Sequence, residues 1–136
     1  TSWFSIEDTG PDGPRACWFD DVYNVADDGS FRNYQQGDTW LETWQGVAED
    51  SCGAPVAPHD GSSVGAWSYD GAAGTMTING LGSFLGLAKA VNGAELADPA
   101  AAPASVTYNV VELIDGSLTI RIDVGGGWWE FELAKE

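Results

Sequence analysis

Residues 19–25 alternate, with Phe19, Asp21, Tyr23 and Val25 on one parity and Asp20, Val22 and Asn24 on the other. A period of two predicts a strand, here spanning residues 17–25. Asp27-Asp28-Gly29-Ser30 follows as a hairpin turn, because Asp-Gly tolerates positive φ, and Phe31-Arg32-Asn33-Tyr34 resumes an extended segment paired with the first. Alternation returns in residues 66–69 and 75–79 on either side of a Gly-containing loop. It is clearest in residues 106–110 and 118–124 around Asp115-Gly116, and it closes with residues 128–133 after three glycines. In that last segment Trp129, Phe131 and Leu133 are predicted to face inward, and Trp128, Glu130 and Glu132 outward. The same parity rule makes Trp67 a core residue and turns Trp18 out.

Between Asp38 and Ser62 the period is lost. Thr39-Trp40-Leu41-Glu42 has the form of a helix capping box that would open a short helix through Gln45, and the same letters read as a twisted strand with Trp40, Glu42 and Trp44 on one side. Residues 51–61 carry two prolines and two glycines and predict an irregular surface loop. Gly80, Gly82 and Gly86 predict bulges or a sharp strand bend, and the Ala- and Pro-rich residues 89–104 a linking loop holding at most one helical turn. Counting an opening strand at residues 3–6, the chain has about eight short strands joined mostly by hairpins, with no long helix to support a parallel crossover. The expected fold is all-β: one domain over residues 1–136, an antiparallel meander barrel of about eight strands with one irregular loop segment. A two-sheet sandwich is the competing arrangement.

Arg15-Ala16-Cys17-Trp18-Phe19-Asp20-Asp21-Val22-Tyr23, followed by Asp28-Gly29-Ser30-Phe31 and by Trp67-Ser68-Tyr69-Asp70 leading into Gly74-Thr75-Met76-Thr77-Ile78, resembles the lipocalin-like barrel modules of bacterial surface and secreted proteins. Some of those modules accompany family 16 glycoside hydrolases in multidomain chains. The resemblance, which runs from Arg15 to Leu133, implies a small calycin-type barrel outside the cytoplasm and part of something larger. It supplies no catalytic motif, since no Glu-x-Asp-x-x-Glu run of the kind those hydrolases carry occurs in this sequence.

Charge narrows the function classes. Five Lys and Arg stand against 21 Asp and Glu, a formal charge of −16 in 136 residues. Phosphate backbones and anionic lipid surfaces would repel such a chain, so nucleic-acid binding is excluded as an expectation. No apolar run approaches the roughly 18 residues that span a bilayer, and the start of the sequence lacks the grammar of a signal peptide, so a mature product or an excised module is expected. Cys17 and Cys52 lack metal-ligand spacing and are read as one disulfide of an exported protein, with two inert thiols as the alternative. The expected location is extracellular or at the cell surface.

Enzyme chemistry finds little support. His59, in Pro58-His59-Asp60-Gly61, is the one histidine, and neighbours on a loop rarely form a triad, so it is read as an exposed or loop-pinning residue. Dinucleotide and P-loop motifs are missing, and no cofactor is expected. Asp20-Asp21 and Asp27-Asp28 crowd oxygen ligands, yet no calcium loop with its spacing is present, and a solvated acidic surface is the default. Asp21 shares its parity with inward residues, so it must pair, with Arg15, Arg32 or Arg121, or change protonation state or face a ligand, unless a bulge turns it out.

The seven tryptophans carry the functional expectation. Indoles stack on the apolar C–H faces of sugars while acids and amides take the hydroxyls. Trp40, Trp44 and Trp128, with Glu42 and Gln45, are the expected ligand-binding residues of a non-catalytic carbohydrate-binding module whose partner is a polysaccharide or glycan. A structural or adhesive module contacting neighbouring domains or copies of itself is the alternative, and a carrier of a small apolar ligand a weaker one.

Overall fold

The computed structural model describes residues 13–136. The strand expected at residues 3–6 lies outside the described residues. The described residues open with a single helical turn, α1 (Ala16–Phe19), and continue through β1 (Val22–Val25), β2 (Ser30–Tyr34), β3 (Thr39–Leu41), a 3₁₀ turn (Thr43–Gln45), β4 (Ser51–Gly53), β5 (Gly65–Asp70) and β6 (Thr75–Asn79). Then come β7 (Ala90–Val91), β8 (Ala94–Glu95), a second 3₁₀ turn (Pro99–Ala101), β9 (Ser105–Ile114), β10 (Ser117–Asp123) and β11 (Trp128–Ala134).

Seven strands form one antiparallel sheet in the order β1-β2-β5-β6-β9-β10-β11. The order is that of a meander with two hairpins inserted, β3–β4 after β2 and β7–β8 after β6. The sheet curls into a half-barrel, with β1 and β11 as its edges among the described residues. The all-β, antiparallel reading therefore holds, with seven strands in the main sheet.

Turn chemistry sets the hairpins where the sequence placed them. Asp28 Oδ1 accepts hydrogen bonds from the backbone N–H and the hydroxyl of Ser30 (2.9 and 2.6 Å), and Asp70 Oδ1 accepts from Ala72 and Ala73 N–H. Ile114 pairs directly with Ser117, leaving Asp115-Gly116 as a two-residue loop with Gly116 at φ +81°.

The first predicted strand is a correction. Residues 16–19 form α1, because Cys17 and Trp18 are both buried, which successive residues of a strand cannot be on one face and a helical turn of 100° per residue readily allows. Trp18, expected to point out, is 9% exposed and donates its indole N–H to the carbonyl of Gly86 at 2.8 Å. The expected Cys17–Cys52 disulfide is formed and ties α1 to β4.

The concave face of the sheet supplies Phe31, Met76, Ile78, Val106, Tyr108, Ile120, Ile122 and Phe131 to the core. The segment read as a bent strand and linking loop covers them. Residues 82–87 are all buried, and Leu85 and Leu87, with Ala90, Val91 and Leu96 from the β7–β8 region, complete the core. Gly86 shows why glycine is needed there: at φ +76° a Cβ would lie 2.5 Å from the Phe131 ring. Its carbonyl also accepts from the Tyr23 hydroxyl at 3.2 Å, so one peptide holds α1 and β1 against the covering segment of residues 80–104, the plug of the half-barrel.

Candidate functional site

The irregular segment resolves both local readings of residues 39–45. Thr39–Leu41 is extended and pairs with β4, and the chain then turns helical for Thr43–Gln45. Thr39 does not cap that turn; its hydroxyl donates to Asp21 Oδ2 at 2.5 Å. Glu42 takes the cap position, its N–H donating to Gln45 Oε1 (3.2 Å), while Thr43 N–H donates to Asp50 Oδ1 (2.9 Å). Gln45 is thereby buried and committed to the backbone.

This turn projects Glu42 toward the plug, where Lys89 meets it at 2.9 Å. Lys89 also lies 3.5 Å from Glu95, and Trp129 on β11 donates its indole N–H to Glu95 Oε1 at 2.8 Å. On the other flank the Arg15 guanidinium sits 4.4 Å over the Trp40 ring, and the Trp40 indole N–H reaches Glu42 Oε1 at 3.4 Å. The chain of contacts Arg15–Trp40–Glu42–Lys89–Glu95–Trp129 thus crosses the open side of the half-barrel. A cleft of about 560 Å³ lies along it, bordered by Arg15, Glu42, Asp50, Lys89, Glu95 and Trp129.

Behind the cleft, and sharing Glu42 and Lys89 with it, is a cavity of about 10 Å³ walled by Trp18, Trp40, Trp44, Phe84 and His59. Asp21, Gln35 and Thr39 face the same space. Burial pushes the Asp21 carboxyl up to about 7, against the Thr39 hydroxyl, which lowers it, and with Asp20 and Asp38 adding to the rise. The arginine ion pair expected for Asp21 is not formed among the described residues; the Thr39 hydroxyl takes its place. Burial moves His59 the other way, below the ordinary histidine range, so its ring is neutral at neutral pH. His59, expected to be exposed or to pin its loop, is 3% exposed, and it is its backbone that holds the loop: the N–H donates to Val56 and the carbonyl accepts from Gln35 Nε2 at 2.9 Å.

Four of the five residues expected to bind a ligand come together. Trp40, Trp44, Glu42 and Gln45 line the cavity, with Trp44 edge-on to His59 at 5.7 Å. Trp128 is separated from them, on the outer face of β11, with the Arg121 guanidinium 4.2 Å over its ring and Arg121 paired to Glu130 at 2.7 Å. The aromatic residue that borders the cleft from β11 is its neighbour Trp129, which parity had assigned to the core and which packs against Phe131 with rings nearly parallel, 6.3 Å apart. Lys89 and Glu95 were hidden in a segment that read as a linker. The one available signal was charge, since Lys89 is among only five basic residues.

Asp28 serves its turn, and among the described residues the one grouping of three candidate metal-ligating side chains is Cys17, Asp38 and Cys52, whose sulfurs are bonded to each other. No helix among the described residues is long and apolar enough to cross a membrane. Comparison with known proteins gives no match: no family model, no curated protein and no solved structure matches this chain.

Proposed function

We propose that the protein is a non-catalytic glycan-binding module of a secreted or cell-surface protein, and that the glycan lies in the cleft between Trp129 and the Arg15–Trp40 pair. The cleft itself carries this reading. Its volume of about 560 Å³ falls within the range of roughly 300–1,000 Å³ usual for ligand sites. An indole along one wall suits the apolar face of a pyranose, and Glu42, Asp50 and Glu95 suit its hydroxyls. The polymer is neutral, because three carboxylates against two cations in the cleft, on a chain of charge −16, repel uronates and sulfates. The Cys17–Cys52 disulfide supports an oxidising location.

Affinity electrophoresis through gels containing neutral β-glucans, xylans and mannans, and anionic polysaccharides as contrast, tests the reading. One neutral polymer should retard the protein, about equally at 50 and 300 mM salt, because stacking is not an ion-pair interaction. Trp129→Ala should weaken retention about tenfold or more and Trp128→Ala should leave it nearly unchanged. Glu95→Gln, at an exposed position, should also weaken retention and serves as the control where Trp129→Ala lowers stability. Retardation by no neutral polymer, or loss at Trp128 alone, overturns the proposal. No reducing ends should be released from any polymer that binds.

A protein-contact role is favoured by a separate observation. Strand β6 pairs with β9 only as far as Asn109, and beyond it Val111, Leu113 and Ile114 are largely exposed. An apolar strand end of this kind suits an adhesive or structural module docking a neighbouring domain or a second copy. Light scattering at increasing concentration checks self-association, which Leu113→Lys should abolish.

A further inference from the structure

Asp21 precedes β1, Gln35 follows β2, and His59 sits on the loop between β4 and β5. The three meet at the cavity of about 10 Å³ behind the cleft. Each brings a buried polar atom that has no hydrogen-bond partner among the described residues: Asp21 Oδ1, Gln35 Oε1 and His59 Nδ1. Gln35 and His59 are 7% and 3% exposed, so bulk water does not serve them. Their orientations are already committed. Asp21 Oδ2 accepts from Thr39, and Gln35 Nε2 donates to the His59 carbonyl, which leaves Oε1 as the free acceptor of a residue that lines the cavity.

We propose that the cavity is a binding site for one water molecule, which donates its two hydrogens to Asp21 Oδ1 and Gln35 Oε1 and accepts from His59 Nδ1–H. The volume matches the room that one water needs, and three partners is the usual number for a buried water. The balance of donors decides the occupant. With the Asp21 carboxyl ionised, two acceptors require two hydrogens from a single small molecule, and that molecule must keep a lone pair for the imidazole N–H. An ammonium ion has no lone pair, and it would meet the Lys89 ammonium on the same cavity wall. The arrangement fixes His59 as the Nδ1–H tautomer and links the start of β1, the end of β2 and the β4–β5 loop through one solvent molecule. It does not depend on what the cleft binds.

His59 is the sole histidine, so ¹⁵N-histidine labelling of the intact chain yields a single ring spectrum. At about pH 8, where the ring is neutral, a long-range ¹H–¹⁵N correlation should show Nδ1 protonated and Nε2 not. A rotating-frame Overhauser experiment should connect that N–H proton to water with the sign of direct dipolar contact, not of proton exchange. Gln35→Leu, checked for a dispersed amide spectrum, should reduce this cross-peak about threefold or more. An Nε2–H tautomer overturns the proposal, and so does an Nδ1–H proton with no direct water contact or only an exchange peak. An unchanged cross-peak in Gln35→Leu overturns the three-partner arrangement.

Discussion

The β9–β10–β11 side of the sheet and the side closed by α1, β3–β4 and residues 80–104 stay together by different means. On the first, the β10–β11 ladder runs the full length of β10 and the β9–β10 ladder runs from Ser117 to Arg121 with one register shift between Thr119 and Ile120, so that Ile120 lies opposite both Val110 and Phe131. Backbone pairing and period-two burial suffice. On the second, short strands leave the work to side chains that reach backbone far away in sequence. Trp18 and Tyr23 donate to the Gly86 carbonyl, Asn33 both donates to and accepts from Phe84, and the Tyr108 hydroxyl accepts from Leu85 N–H. A disulfide adds one covalent tie. The half-barrel thus has a wall built by repetition and a wall built by individual contacts, and the candidate cleft lies along the second.

The difference is best broken at Trp18. Trp18→Ala removes a large core side chain and one of the two hydrogen bonds to the Gly86 carbonyl, and should cost about 3–5 kcal/mol in urea unfolding. Trp18→Phe, which keeps most of the volume, should cost on the order of 1–2 kcal/mol. Equal losses in the two variants would mean that the hydrogen bond, and not packing, holds α1, and a negligible loss in Trp18→Phe would mean the reverse. Next in size is the disulfide. With a sequence separation of 35, the chain-entropy relation gives roughly 3–4 kcal/mol for reduction or for the paired Cys17→Ala/Cys52→Ala change. Protection of the β9–β10–β11 amides in hydrogen exchange should outlast that of β3 and β4 after the bond is cut, whereas uniform loss would show the two walls to be one cooperative unit.

A smaller effect comes from pH. The Asp21 carboxyl is raised from 3.8 to about 7 in the folded chain, so the folded state holds its proton more tightly than the unfolded state. The stability this contributes is fully present below about pH 4 and is lost as pH rises toward and through 7. Wild type minus Asp21→Asn, which cancels the general effect of the other carboxylates, should fall by on the order of 1–2 kcal/mol between pH 5 and pH 8, given the partly solvent-facing position of the group. A flat difference would place the Asp21 carboxyl in an ordinary solvated setting. The smallest change is expected at Trp128, on the outer face of the regular wall. Trp128→Ala forfeits the Arg121 contact and should lower stability by only about 0.5–1 kcal/mol.

Much of the regular wall is legible from residues near one another in the chain. Asp115-Gly116 dictates its two-residue loop, and the alternation of residues 118–124 and 128–133 assigns Ile120, Ile122 and Phe131 to the core without any knowledge of their partners. The disulfide was readable too, because two cysteines without metal-ligand spacing leave few uses. The other wall was not. Trp18 looked outward because parity assumes a strand, and only the distant Gly86 carbonyl, 68 residues away, explains why a helical turn carries its indole inward. The sequence marked Trp40, Trp44, Glu42 and Gln45 as a group because they are close in the chain. It separated Trp129 from them because parity reports which face of a strand a residue occupies, not that β11 ends the sheet among the described residues. Lys89 and Glu95 acquire their meaning only when the plug folds back across that edge. Local rules set hairpins and faces, since those depend on turn conformation and the two-residue repeat. The cleft and the cavity behind it arise from contacts between segments tens of residues apart, which no local period encodes.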